Sequence, residues 1–242
     1  EVMKILKDLH PFADPIPVKE PIVNRSQVFN IADVRSSFGT FADDTAPGPD
    51  GIRFRYIKAA LDLPGSDTLL TKITAFINLL GSGSFPNILA PYYSSANLIP
   101  IRKKTKILQK SVRPIGVPSI DYRLVSKLHF KKNCKDATRS LSPYQLGVGV
   151  PRATQAILYA VQNLIDTISD NHSVLTIDFS NAFNTADRKL LLQKVFESSP
   201  HASDWAKWTY SQHSFLFVRS TFEMSCKGVK QGDPLGPYYF CL

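Results

Sequence analysis

Hydrophobic residues follow a helical repeat over several stretches of this chain. The clearest repeat runs from residue 153 to residue 168 and predicts a helix with one apolar face, which we expect to be buried in the core. Its members are Ala153, Ala156, Ile157, Ala160, Val161, Leu164 and Ile168. A second helix is predicted with Ile120, Leu124 and Leu128 on one side, and a shorter one begins after Asn30 as the N-cap.

Short apolar runs bounded by turn residues predict strands elsewhere in the chain. Runs at residues 95–101 and 112–117 flank a basic loop and predict a hairpin. Further strands are expected between residues 214 and 226. The run at residues 173–178 predicts a buried strand that ends in Asp178. Helices and strands together indicate an α/β (α+β) fold.

The bulk composition fits a globular protein, but the positive charge is concentrated in one region. Of the 242 residues, 43% are hydrophobic and 20% are charged, and the net charge is +9. Twelve lysines and arginines lie between residues 102 and 139, against only Asp121 and Asp136, so this block alone carries +10. A cationic block inside a folded sequence indicates a polyanionic partner, with nucleic acid favoured over an acidic membrane surface.

One predicted helix in this block carries basic residues at intervals of four: Arg123, Lys127, Lys131 and Lys135. Residues four apart lie on nearly the same side of a helix, so they form a cationic ridge. For an isolated helix such a ridge is an ordinary solvated face. Beside a second basic loop, it is better interpreted as a surface that tracks nucleic-acid phosphates.

Cysteine usage and hydropathy set the compartment. The three cysteines are odd in number and form no Cys-x-x-Cys pair, which indicates neither a disulfide framework nor a zinc site. No apolar stretch approaches the ~20 residues that a membrane-spanning helix needs. We therefore expect an intracellular protein without a membrane partner.

Two local sequences carry candidate chemistry. Asp178 ends its predicted strand, where a carboxylate can face a cleft and bind a metal, and Phe183 follows five residues later. Taken alone, Asp178 would as readily cap a helix or close a strand. Residues 230–237 read KQGDPLGP, in which Gly232 allows the backbone to approach a ligand closely and Pro234 fixes the turn before a helix. We interpret Asp233 as structural.

Two further sequences complete a set of four motifs. Arg113-Pro-Ile follows a basic loop, and an arginine can pair two phosphate oxygens with its planar fork. Residues 47–52 read PGPDGI and form a turn before a helix. In this order, the four motifs resemble those of reverse transcriptases of the non-LTR (LINE-type) retrotransposons, and the resemblance covers roughly residues 25–242.

The resemblance implies a right-hand polymerase fold, a set of substrates and a role for each motif. It would make the chain an RNA-directed DNA polymerase that adds dNTPs to a DNA primer on an RNA template. Arg113 and a nearby lysine, of which we favour Lys103, would hold the triphosphate. Phe183 would exclude a 2′-hydroxyl, and Gln231 and Gly232 would shape the nucleotide pocket.

The resemblance also implies two Mg²⁺ ions, with Mn²⁺ as an alternative, held by Asp178 and by the backbone carbonyl of Phe179. The third palm motif, a turn with two adjacent aspartates, is expected beyond Leu242. The adjacent pair Asp43 and Asp44 does not replace it, because these residues lie before the fingers helices. We therefore expect the 242 residues alone to be inactive and the activity to reside in a longer parent.

The expected organisation is a lead-in arm at residues 1–24, fingers and connecting helices at 25–172, and a truncated palm sheet at 173–242. Two alternatives stay open: an RNA-binding remnant without catalysis, and a group II intron-type maturase. Localisation would be nuclear if the parent is a eukaryotic retrotransposon. The oligomeric state is not predicted.

Overall fold

In a computed structural model, residues 1–17, 27–103, 112–169 and 171–242 are described. The helices are α1 (Val2–Leu9), α2 (Ile31–Gly39), α3 (Phe54–Leu61), α4 (Asp67–Gly81), α5 (Ala90–Tyr93), α6 (Ile120–Leu141), α7 (Ala153–Thr167), α8 (Ala182–Thr185), α9 (Arg188–Ser198), α10 (Pro200–Tyr210) and α11 (Gly236–Cys241). The strands are β1 (Ala96–Arg102), β2 (Val112–Pro118), β3 (Ser214–Val218) and β4 (Thr221–Ser225). A 3₁₀ turn, Asn87–Leu89, precedes α5. The predicted α/β fold class is confirmed.

The four strands form one mixed sheet in the order β2-β1-β3-β4. The predicted hairpin is confirmed: β1 and β2 pair antiparallel, from Ala96 opposite Pro118 to Arg102 opposite Val112. Strand β3 lies parallel to β1 and antiparallel to β4. The sheet therefore joins strands from both sides of the predicted boundary at residue 172.

Helix α1 packs on one face of this sheet. Its Ile5 and Leu6 are buried in a small core with the strand residues Ala96, Leu98 and Leu216. These strand positions are two residues apart or lie opposite one another, so their side chains share a face. The first part of the predicted lead-in arm is thus packed against the sheet.

The main core lies among helices α2–α6 and α9–α11. Ile120, Leu124 and Leu128 of α6 are buried there, as their spacing predicts, together with Trp205 of α10. Helix α2 begins as predicted, because the Asn30 side chain accepts a hydrogen bond from the Asp33 N–H at 2.7 Å. Helices α6 and α10 therefore share one core.

The predicted burial of α7 is wrong. The helix forms over Ala153–Thr167, but its apolar stripe is exposed, including Ile157, Val161 and Leu164. Within the described chain, no residue of this helix is buried. Periodicity specifies which face of a helix is apolar, whereas burial also needs a second element against that face.

The predicted strand at residues 173–178 is also wrong. These residues follow a non-helical path and are exposed, and Leu175 retains 81% of its accessible surface. Among the described residues, no strand pairs with them. Without a partner, their backbone N–H and C=O groups have no ladder to join and are left to water.

The predicted divisions at residues 24 and 172 stay predictions, and the first of them lies outside the described residues. In the described part of the chain, no helix is both long enough and apolar enough to cross a membrane.

Candidate nucleotide-binding cleft

One open cleft, with a volume of about 710 Å³, brings the predicted site residues together. Its walls come from the β1–β2 hairpin, from residues 178–183, from residues 230–237 and from the end of α1. All the residues predicted to bind nucleotide or metal line it: Lys103, Arg113, Asp178, Phe179, Phe183, Gln231 and Gly232. Their positions in the chain extend from residue 103 to residue 232, so the fold and not the sequence alone makes them neighbours.

The hairpin supplies the exposed cations of the cleft. Arg113 lies on β2 opposite Ile101, and Lys103 directly follows β1. Both side chains are exposed, so their charges are available to an anionic ligand. The next two lysines in the chain, Lys104 and Lys106, lie outside the described residues.

Residues 228–237, which we call the pocket loop, are attached directly to this hairpin. The Gly116 N–H of β2 donates to the Gln231 carbonyl at 2.8 Å. One residue further on, Gly232 has φ +139°, and a Cβ there would lie 1.9 Å from the Gly116 carbonyl oxygen. Only a glycine allows this approach, which holds the loop against the strand that carries Arg113.

A buried carboxylate anchors the turn of the pocket loop. Asp233 accepts hydrogen bonds from the hydroxyls of Tyr122 at 2.7 Å and Tyr210 at 2.6 Å, and from the Leu235 N–H at 2.9 Å. Tyr122 lies on α6 and Tyr210 on α10, so two helices hold one side chain. The interpretation of Asp233 as structural is confirmed by these contacts.

Lys230 extends into the same buried group. Its Nζ lies 4.6 Å from the centre of the Tyr210 ring and 5.3 Å from that of Tyr122, and it has no hydrogen-bond partner among the described residues. Burial, followed by the nearby positive charge of Arg188, lowers the pKa of Lys230 to about 7. The side chain is thus close to its titration point at neutral pH.

Another wall is formed by residues 178–180, the last three residues of a stretch (173–180) that we call the acid segment, and by the turn after it. Asp178 and Phe179 are exposed at the cleft. After the acid segment, Asn181 takes a left-handed conformation, with φ 56°, and its side chain donates to the Leu9 carbonyl at 2.9 Å. The end of α1 is therefore a wall of the cleft that no local sequence signal predicted.

Phe183, unlike the exposed Asp178, packs against another element of the fold. Its ring stacks on Phe240 of α11, with 4.8 Å between ring centres and 14° between ring planes. Its carbonyl accepts a hydrogen bond from the Val229 N–H of the pocket loop at 2.7 Å. The ring can therefore serve as a rigid wall for a ligand.

The donors available for a metal ion are hard oxygens. The carboxylate of Asp178 and the carbonyl of Phe179 suit Mg²⁺, which binds through one or two carboxylates and keeps other positions for water and phosphate. In the described ranges, no three histidine, cysteine or acidic side chains are close enough to form a metal cluster. Asp178 and Phe179 thus fit as part of the ligand set of a metal ion, but they do not complete it.

The predicted cationic ridge of α6 is wrong at Arg123. This side chain is only 5% exposed, and its guanidinium lies 4.9 Å from the centre of the Phe54 ring. Burial lowers the pKa of Arg123, although Asp50 and Asp121 act in the opposite direction. Arg123 is buried because this face of α6 packs against the preceding helices.

The other members of the ridge differ in their surroundings. The Lys127 Nζ lies 4.2 Å from the centre of the Phe41 ring, and the Lys131 Nζ donates to the Ser36 hydroxyl at 2.9 Å. The side chain of Lys135 lies outside the described part of the structure. Nucleic-acid binding by Lys127, Lys131 and Lys135 stays a prediction.

Several residues of the site had no signal in the sequence. Tyr122 and Tyr210 belong to ordinary helical patterns, and Lys230 is recognisable only as the first residue of the sequence KQGDPLGP. Arg188 does carry one weak signal: it is a cation in the first turn of a helix, where the helix dipole disfavours positive charge.

Comparison with known proteins gives two findings. Residues 101–242 match the family described as reverse transcriptase (RNA-dependent DNA polymerase). The chain is also similar to the retrotransposable element SLACS 132 kDa protein of Trypanosoma brucei gambiense, with 27% identity over 143 residues. The matched region covers 54% of this chain and 11% of that protein.

Proposed function

The chain belongs to the reverse transcriptase (RNA-dependent DNA polymerase) family, and from that premise we propose that it supplies the fingers and first part of the palm of an enzyme that extends a DNA primer on an RNA template. The observation that carries the proposal is the common cleft, lined by all seven residues predicted to bind nucleotide or metal. Similarity to a retrotransposable element protein supports a parent of the non-LTR type.

The cleft suits a deoxynucleoside triphosphate. Arg113 and Lys103 would bind its phosphates, and the arginine fork can contact two oxygens at once. Gln231 and Gly232 would lie beside the base and sugar. The Phe183 ring, supported by Phe240, would pack against the sugar and leave no room for a 2′-hydroxyl.

Asp178 and the Phe179 carbonyl would hold divalent metal, Mg²⁺ in preference to Mn²⁺, as part of a two-metal site. When bound, such ions neutralise the charge that develops on the transferred phosphoryl group. The contribution of this chain would be one exposed carboxylate in a cleft that is also lined by two exposed cations.

The test is Asp178→Ala in the full-length protein, assayed by extension of a DNA primer on an RNA template. Extension should fall by roughly a thousandfold or more, because a ligand needed only for the chemical step is lost. Binding of primer and template should stay within about twofold, and the melting temperature should not change, because the side chain is exposed.

The matched control is Asp44→Ala, which removes another exposed carboxylate, one that is not part of the cleft lining. Full extension by Asp44→Ala together with loss in Asp178→Ala supports the proposal. Retained extension by Asp178→Ala contradicts it. If the unaltered protein binds RNA but never extends a primer, the noncatalytic RNA-binding alternative takes its place.

A further inference from the structure

Arg188 is a buried cation whose partners all lie on other segments of the chain. Its Nε donates to the Gly228 carbonyl at 2.8 Å, and its Nη1 to the carbonyls of Ser225 at 3.0 Å and Gln212 at 3.4 Å. Its Nη2 donates to the Ser225 hydroxyl at 2.7 Å and to the Lys227 carbonyl at 3.3 Å. One guanidinium thus binds the strand end and the loop that lead into the pocket loop.

The acceptors around this cation are neutral oxygens. A buried charge is costly unless it is compensated, and here the compensation comes from carbonyls and a hydroxyl. Burial lowers the pKa of Arg188 to about 10, so the side chain stays protonated near neutral pH. A planar fork with several donors can serve five acceptors at once, whereas a lysine ammonium offers three donors at one point.

The position of Arg188 in the chain gives this contact its meaning. The residue lies ten positions after Asp178 and five after Phe183. The same two segments are joined by backbone hydrogen bonds, from Val229 N–H to the Phe183 carbonyl at 2.7 Å and from Gly228 N–H to the Ala186 carbonyl at 2.9 Å. The guanidinium therefore adds side-chain hydrogen bonds to the backbone bonds that connect residues 183–188 with the start of the pocket loop.

We propose that Arg188 is a positioning residue, which fixes Gln231 and Gly232 at a set distance from the Phe183 ring. This inference rests on the proposed function, because that distance would define the space for the sugar and base. Loss of the fork would let the pocket loop move relative to Phe183. Nucleotide affinity and sugar selectivity would then weaken together, while the chemistry at Asp178 would be less affected.

The experiment compares Arg188→Met and Arg188→Lys in the full-length protein, with Lys189→Met as the matched control. Lys189 is the exposed neighbour in the sequence. We expect Arg188→Met to raise KM for dNTP about tenfold, with a smaller change in kcat, and to reduce selection of dNTP over rNTP. Arg188→Lys should recover part of both effects, and the affinity for primer and template should be unchanged.

A residue with only a general role in folding would give a different pattern. It would lower the fraction of active enzyme, and hence apparent kcat, without changing KM or sugar selection. Wild-type KM and selectivity in Arg188→Met overturn the proposal. If Arg188→Met does not fold, Ser225→Ala removes one acceptor of the fork and should raise KM in the same direction by roughly threefold, whereas an unchanged KM contradicts the proposal.

Hydrogen–deuterium exchange without nucleotide separates this proposal from the proposed function. Faster exchange of residues 225–232 in Arg188→Met supports positioning even if the unaltered protein never extends a primer, in which case only the polymerase function fails. Normal extension combined with unchanged exchange and unchanged KM overturns the positioning role and leaves the polymerase function intact.

Discussion

The pocket loop and the end of the acid segment line one cleft, yet the two stretches are held in very different ways. In the pocket loop, Val229, Lys230, Asp233 and Leu235 are buried, and the side chain of Asp233 receives three hydrogen bonds. In the acid segment, the apolar residues are exposed, including Leu175. Both stretches contain residues predicted to bind nucleotide or metal, so a predicted role in the site does not determine how firmly a stretch is held.

The difference follows from the partners that each wall has. The pocket loop contacts β2, α6, α9 and α10, and its central carboxylate is bound by residues 111 and 23 positions away. The acid segment has the composition of a strand but no strand beside it in the described residues. The glycine- and proline-containing loop is therefore buried because it has several partners, whereas the more apolar segment is exposed because it has none among the described residues. Stability experiments can sharpen this contrast.

The largest effect is expected for Gly232→Ala, at the contact between the pocket loop and β2. A Cβ there would lie 1.9 Å from the Gly116 carbonyl oxygen, so the loop and the strand cannot both keep their positions. We expect a loss of more than ~4 kcal/mol in the free energy of unfolding, measured by urea denaturation.

Gly65→Ala is the matched control for this substitution. Gly65 also has a positive φ, +78°, but a Cβ there meets no atom within 4 Å in the described structure. Its replacement should cost only about 1 kcal/mol, from backbone strain. Equal costs at the two positions would mean that the Gly116 contact does not hold the loop.

The second effect compares a leucine from each of the two stretches. Leu235 in the pocket loop is 1% exposed, and Leu175 in the acid segment is 81% exposed. Leu235→Ala should lower the free energy of unfolding by ~2–5 kcal/mol because it leaves a cavity. Leu175→Ala should change it by less than ~0.5 kcal/mol. A large loss for Leu175→Ala in urea denaturation would show that the acid segment is packed in solution, against the contrast drawn here.

This contrast also marks how far sequence reasoning reaches. Residues 230–237 were identifiable because glycine, proline and aspartate at fixed offsets have local backbone consequences, and Leu124 and Leu128 because helical spacing sorts apolar residues onto one face. The contacts of Arg188 and of the Tyr122 hydroxyl were not identifiable. The hydrogen-bond partners of the Arg188 guanidinium lie at least 24 residues away and that of the Tyr122 hydroxyl lies 111 residues away, and no local spacing encodes such contacts. The predicted burial at residues 153–178 failed for a related reason, because hydrophobicity indicates a need for a partner but not its presence.

The smallest effect concerns the pH dependence of the pocket loop. Burial lowers the pKa of Lys230 from 10.5 in the unfolded chain to about 7 in the fold. Between these values the unfolded state binds a proton that the folded state lacks, so the free energy of unfolding should rise with pH. The cost of burying the charged lysine is then fully present only below pH 7. One such group changes the free energy of unfolding by at most ~1.4 kcal/mol per pH unit. Urea denaturation between pH 7 and 8.5 should show a steeper rise in the wild type than in Lys230→Met, because the thiols that also titrate in this range are common to both proteins. Lys227→Met, three residues earlier, should keep it. Equal slopes in all three proteins would mean that Lys230 reaches solvent, and that water enters the pocket loop at this residue.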